Sequence, residues 1–125
     1  MSHGIVALPR IIGRSVVGKF SRNKGATAER EIANLLEGEL GTGVKRRLGQ
    51  ARDCGHDLEG TEPFAVEVKR CEKIEMPKWW RQVDKAAAEA GLRPAVAYRT
   101  NGEPWRVRVD LSLEEFATII REAAK

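Results

Sequence analysis

Hydrophobic and polar positions alternate along this chain with two periods, and the switches between them mark the elements. From Ala26 to Leu40 the apolar residues Ala28, Ile32, Leu35, Leu36 and Leu40 keep helical spacing, and Gly41 and Gly43 supply a stop. The spacing predicts a first helix there. Val44 to Leu48 reads as a short strand, and a glycine-rich loop through Gly49, Gly55 and Gly60 follows, with a brief extended piece at Asp57 and Leu58. In Phe64 to Lys69 the period becomes two: Phe64, Val66 and Val68 alternate with Ala65, Glu67 and Lys69. A strand follows from that, with Glu67 and Lys69 on one face.

Helical spacing returns after Pro77 and runs to about Ala90, with Trp80, Val83, Ala87 and Ala90 as the expected buried stripe and Gly91 as terminator. On this reading the Trp79-Trp80 pair belongs to the core more readily than to a contact surface. Pro94–Arg99 and Trp105–Val109 read as two strands joined by a turn at Asn101-Gly102. Ser112 followed by Glu115 is a capping box that opens a last helix, whose inner face is Phe116, Ile119, Ile120 and Ala123. Helix, three strands, helix, two strands, helix is the order of a mixed α/β layer domain.

Length and charge then limit the possibilities. At 125 residues the chain suits one hydrophobic core. We divide it into a basic, flexible N-terminal extension over residues 1–23 and a folded domain over residues 24–125. No apolar run approaches the roughly 20 residues of a membrane span. Pro9, Arg10 and Arg14 break the apolar stretch from Ile5 to Val17, which therefore fails as a signal peptide, so a cytoplasmic protein is expected. The net charge is +4. Arg10, Arg14, Lys19, Arg22 and Lys24 carry five positive charges with no acid among them, which leaves the rest of the chain nearly neutral. Such a tail is either a solubilising arm or a phosphate-contacting one.

Cys54 and Cys71 are expected to be reduced thiols. With His56 they lack a fourth ligand and a CxxC spacing, so zinc is disfavoured.

The candidate chemistry lies between the glycine-rich loop and the clearest strand. Asp57 precedes Glu67-Val68-Lys69 by ten residues. Mg²⁺ prefers hard oxygen ligands and keeps several waters, so two carboxylates and a phosphate suffice to hold it. Lys69, on the same strand face as Glu67, can orient the attacking water or offset charge on the phosphorane. Glu-X-Lys also occurs on ordinary solvated strands. The apolar opposite face, the glycine-rich loop around Asp57 and Glu29 early in the first helix favour a metal site. Glu29 reads either as a helix-dipole partner or as a further metal carboxylate. Lys45, Arg46, Arg47 and Arg52 near the loop, and Arg70, Lys73, Lys78 and Arg81 beyond the strand, are cations suited to tracking phosphates. No base-reading motif accompanies them, which favours recognition of DNA shape.

The ordered set Lys24-Gly25-Ala26-Thr27-Ala28-Glu29-Arg30-Glu31, Asp57, Val66-Glu67-Val68-Lys69 and Pro104-Trp105-Arg106-Val107 resembles the archaeal-type Holliday junction resolvases and their phage-encoded relatives, within the PD-(D/E)XK nucleases. His56 stands where the name motif has proline. The resemblance covers residues 24 to about 110 and implies a restriction-endonuclease-like mixed five-stranded sheet flanked by helices. It implies catalytic positions at Glu29, Asp57, Glu67 and Lys69, metal ligands at Glu29, Asp57 and Glu67, and a phosphate or catalytic role for Arg30. It also places a family basic residue at Arg47. Magnesium, with manganese as a substitute, a four-way DNA junction as substrate and a homodimer as the working unit are the further expectations it brings.

Overall fold

The computed structural model describes residues 21–48 and 56–125 of the chain. The proposed extension up to residue 20, Arg52 and Cys54 lie outside the described residues. Helix α1 (Ser21–Leu40) is followed by strands β1 (Lys45–Arg46), β2 (Leu58–Glu59) and β3 (Phe64–Arg70). Helix α2 (Met76–Ala90), strands β4 (Arg93–Arg99) and β5 (Arg106–Val109), and helix α3 (Leu113–Ala123) complete the order. Every predicted element is present. Helix α1 begins five residues earlier than the apolar spacing showed, because Ser21 to Gly25 contain no apolar residue to mark the turn.

Strands β3 and β4 are parallel and β5 is antiparallel to β4, giving the order β3-β4-β5. Strands β1 and β2 form a separate antiparallel pair. The single five-stranded sheet expected from the resemblance is therefore split among the described residues. The split occurs at the outer edge of β3. There Asp57 N donates to Val66 O at 2.8 Å, but the next ladder donor, Val68 N, is taken by the Asp57 side chain. A carboxylate occupies the position of a strand carbonyl, so the ladder stops after one rung.

The two faces of the three-stranded sheet carry separate cores. Val66, Val68, Ala95 and Ala97 pack with Ala28, Ile32 and Ala33 of α1, and Trp105 closes this layer. Val96 packs on the opposite face with Met76, Trp79 and Val83 of α2, joined by Tyr98. The buried stripe of α2 is Met76, Trp79, Val83, Ala86 and Ala87; Val83 and Ala87 are buried as expected, while Trp79 is buried in place of Trp80 and Ala90 is exposed. The Trp79 ring reaches Tyr98 at 6.3 Å, and Trp80 is left half-buried. Gly91 ends α2 in the left-handed conformation at φ 71°. A side chain on Gly60 would place its Cβ 2.3 Å from the Gly43 carbonyl oxygen, so the close approach of the chain just beyond the β1–β2 ladder demands glycine there.

Helix α3 corrects a second expectation. Its capping box is formed, with Glu115 N donating to Ser112 Oγ and Ser112 N donating to Glu115 Oε1. However, no residue of α3 is buried, and Phe116, Ile119 and Ile120 are each about half exposed. Arg93 fastens the start of the helix through paired bonds to Glu115 at 2.5 and 2.8 Å. These bonds hold the Glu115 carboxyl far below its usual range, at about 2. The helix forms because its cap and amphipathic spacing are local. Its apolar side stays uncovered, and an apolar groove of about 340 Å³ lined by Leu36, Phe64, Val66, Ala97, Val107 and Val109 stays open on the α1 face of the sheet. Among the described residues no helix is long and apolar enough to cross a membrane.

Candidate active site

Strand β3 supplies the centre of the site. Because Val66 and Val68 face the α1 core, Glu67 and Lys69 project from the α2 face, as the alternation predicts. Glu67 is buried, and Lys69 Nζ lies 3.2 Å from its Oε2. Asp57 approaches from the edge. Its Oδ2 accepts Val68 N at 2.7 Å while its own N–H donates to Val66 O. This two-point clamp aligns Asp57 with the peptide between Glu67 and Val68 and fixes its carboxylate at the edge of β3.

The third predicted carboxylate comes from the other side. Glu29 lies on α1, is only 4% exposed, and receives Arg46 Nε at 3.0 Å. Arg46 pairs with Leu58 across the β1–β2 ladder, so it sits one residue from Asp57 in register. Glu67 and Glu29 thus flank Asp57 from opposite faces of the sheet. Among the described residues no three Asp, Glu, His or Cys side chains gather closely enough to hold one cation between them.

A magnesium ion needs fewer protein ligands than that. It keeps most of its waters and takes one or two carboxylates alongside substrate phosphate. Asp57 and Glu67, both hard oxygen donors at one edge, fit this requirement. Glu29 is held by Arg46 instead.

The predicted cations fall into three places. Arg30, Lys45 and Arg46 line a shallow surface pocket of about 270 Å³ with Asn34, an arrangement that presents positive charge beside the edge where Asp57 sits. Arg47 instead turns to His56, with Nη1 3.0 Å from His56 Nδ1 and 3.4 Å from the His56 carbonyl oxygen. Its backbone N–H donates to Asp57 O at 2.9 Å, so Arg47 braces the loop that carries Asp57. Burial, and then the Arg47 charge, lower the His56 pKa below its ordinary value. Arg70 follows β3 onto the α1 face, away from Lys69.

His56 and Arg99 are the residues whose roles sequence reasoning missed. Arg99 is 3% exposed, contacts Glu31 at 3.8 Å and lies over the Trp105 ring at 5.6 Å. Nothing in local spacing announces it, because an arginine ending an apolar strand reads as a solvated terminus. Cys71 is half-buried against the α2 core.

A family model described as "Phage putative PDDEXK endonuclease" matches residues 20–124. No curated protein matches the chain. The match spans every described element, including the clamped Asp57 and the Glu67-Val68-Lys69 strand, and the chain belongs to this phage PDDEXK endonuclease family.

Proposed function

We propose that this endonuclease depends on Mg²⁺, with Mn²⁺ as a substitute, and resolves four-way DNA junctions by paired symmetric nicks. The observation that carries the reading is the clamp of Asp57 onto β3 beside Glu67 and Lys69. Asp57 and Glu67 would hold the cation, and Glu29 would join them on leaving Arg46. When bound, such an ion offsets phosphate charge and makes its coordinated water acidic enough to attack.

The chain's own groups do the positioning. Lys69 brings an ammonium to the Glu67 carboxylate, where it can orient the water and offset negative charge growing on the phosphorane. The strand backbone keeps Asp57 in register while that charge builds. Arg30, Lys45 and Arg46 would seat the flanking phosphates without reading bases. A junction has two strands related by a two-fold axis, so a homodimer would offer one edge to each.

The test uses a labelled immobile four-way junction, a flap and a linear duplex, each with Mg²⁺ or EDTA. Paired nicks confined to the junction support the reading. Equal cutting of all three, or a preference for the flap, reassigns the enzyme to other branched DNA. Tight binding without cleavage removes the catalytic claim. The Glu67→Gln variant is expected to bind the junction and leave it uncut.

A further inference from the structure

Two apolar surfaces lie close together on this chain, and neither is covered. One is the groove of about 340 Å³ on the α1 face of the sheet, walled by Leu36 and Leu40 of α1 and by Val107 and Val109 of β5. Ala95 and Ala97 of β4 line it between these walls, and side chains as small as alanine leave the space unfilled. The other surface is the ridge of α3, where Leu113, Phe116 and Ile120 follow i, i+3, i+7 spacing beside Ile119. No residue of α3 is buried, and none lines the groove.

Arg93 sets how the two surfaces stand to each other. Its guanidinium lies 5.1 Å over the ring of Phe64, which lines the groove. The same group donates to the Asp110 carbonyl oxygen at 2.9 Å and to Glu115 Oε1 at 2.8 Å. The first turn of α3 is thereby fixed at the mouth of the groove, joined to the wall residue Val109 by the short link Asp110 to Ser112. Held there, α3 does not enter the groove of its own chain.

We propose that the groove receives α3 of a second copy, and that two copies exchange these helices about a two-fold axis near the Asp110–Ser112 link. This step rests on the homodimer in the reading above and names its surfaces. Symmetry favours the same helix as the occupant, because ridge and groove adjoin on one chain and a single two-fold covers both pairs at once. Area agrees. Taking roughly 200 Å² for a large side chain, from the aromatic range, the exposed parts of Leu113, Phe116, Ile119, Ile120, Leu40 and Val107 come to about 700 Å² per copy. A stable complex covers roughly 800 Å² on each partner. Charge agrees as well: Glu62 lines the groove and exposed Glu37 and Glu39 adjoin Leu36 and Leu40, whereas the last turn of α3 carries Arg121. Glu67 and Lys69 project from the opposite face of the sheet, so the exchange leaves both catalytic faces open.

The test oxidises the full chain carrying Val107→Cys and Ile120→Cys, with Cys54→Ala and Cys71→Ala, and maps the cross-link by peptide mass. A species of twice the chain mass, linked between positions 107 and 120, is expected. Sedimentation is measured alongside on Val107→Glu and Phe116→Glu, both at exposed positions, with circular dichroism to check the fold. Each should raise the dimer dissociation constant about 30-fold or more. A 107–120 link within one chain gives the groove to its own helix and overturns the proposal. A dimer that survives both substitutions and forms no such link overturns it too, while sparing the homodimer. A wild-type chain that stays monomeric at every concentration overturns both. The assay uses no DNA, so a chain that dimerises this way but cuts nothing loses only the nuclease reading.

Discussion

The Asp57 carboxylate accepts the backbone N–H of Val68 at 2.7 Å, in the place where a neighbouring strand would present a carbonyl. One bond therefore ends the sheet and fixes an acid at the edge of the strand that carries Glu67 and Lys69. It also separates the structural from the chemical use of that acid.

Asp57→Asn keeps an oxygen for Val68 N but loses the negative charge. We expect its melting temperature to stay within a few degrees of wild type while junction cleavage falls at least about 100-fold. Asp57→Ala leaves the Val68 N–H without its acceptor and should cost a further 1–3 kcal/mol or so of stability. Wild-type nicking rates in the asparagine variant would take Asp57 out of the metal site.

Arg46 and Glu29 form a largely buried pair, their side chains 17% and 5% exposed. Arg46→Met takes one partner from the buried Glu29 carboxylate, and urea denaturation in EDTA should register a loss of roughly 1–3 kcal/mol. If Glu29 joins the cation site, millimolar Mg²⁺ will restore part of that loss in the variant and much less in wild type. Equal responses would confine Glu29 to a structural role.

Acid should act on two groups in separate windows. His56 titrates below its ordinary 6.5, because burial and then the Arg47 charge oppose its protonation. The unfolded chain consequently binds the extra proton first as pH falls below about 6.5, and stability declines from there toward the folded pKa. His56→Gln should remove that slope from denaturation curves collected between pH 7.5 and 5.5. Glu115, held at about 2 by Arg93 and by the Ser112 backbone, contributes stability that is present above 4.5 and lost between 4.5 and about 2. Helix α3 should loosen in that lower window, visible as faster amide exchange over residues 113–123.

The uncovered side of α3 bears on the expected homodimer. Leu113, Phe116, Ile119 and Ile120 are between 51% and 78% exposed, and monomers rarely leave so many large apolar side chains together in water. Sedimentation should show a dimer for the wild-type chain and a monomer for Ile120→Glu, with circular dichroism unchanged. A dimer that survives the substitution places the interface elsewhere.

Much of the architecture was legible in local pattern. The alternation at Phe64–Lys69 predicted both the strand and the shared face of Glu67 and Lys69, and Ser112 with Glu115 predicted the cap of α3. These features depend on residues within a few positions of one another, so spacing alone specifies them. The boundaries of α1 and the phase of the α2 stripe were less secure, because neighbouring apolar residues such as Trp79 and Trp80 compete for one buried slot.

What the sequence by itself determined is the set of elements and the chemistry available to them: a strand bearing Glu67 and Lys69, an acid at Asp57, and a helix bearing Glu29. Only the tertiary structure decided that Asp57 would replace a ladder rung at Val68, that Glu29 would be held by Arg46 on the far side of that edge, and that α3 would keep its apolar face open. Each of those outcomes depends on partners distant in sequence meeting at one place. Such outcomes depend on how the layers pack in three dimensions, and periodicity carries no record of that.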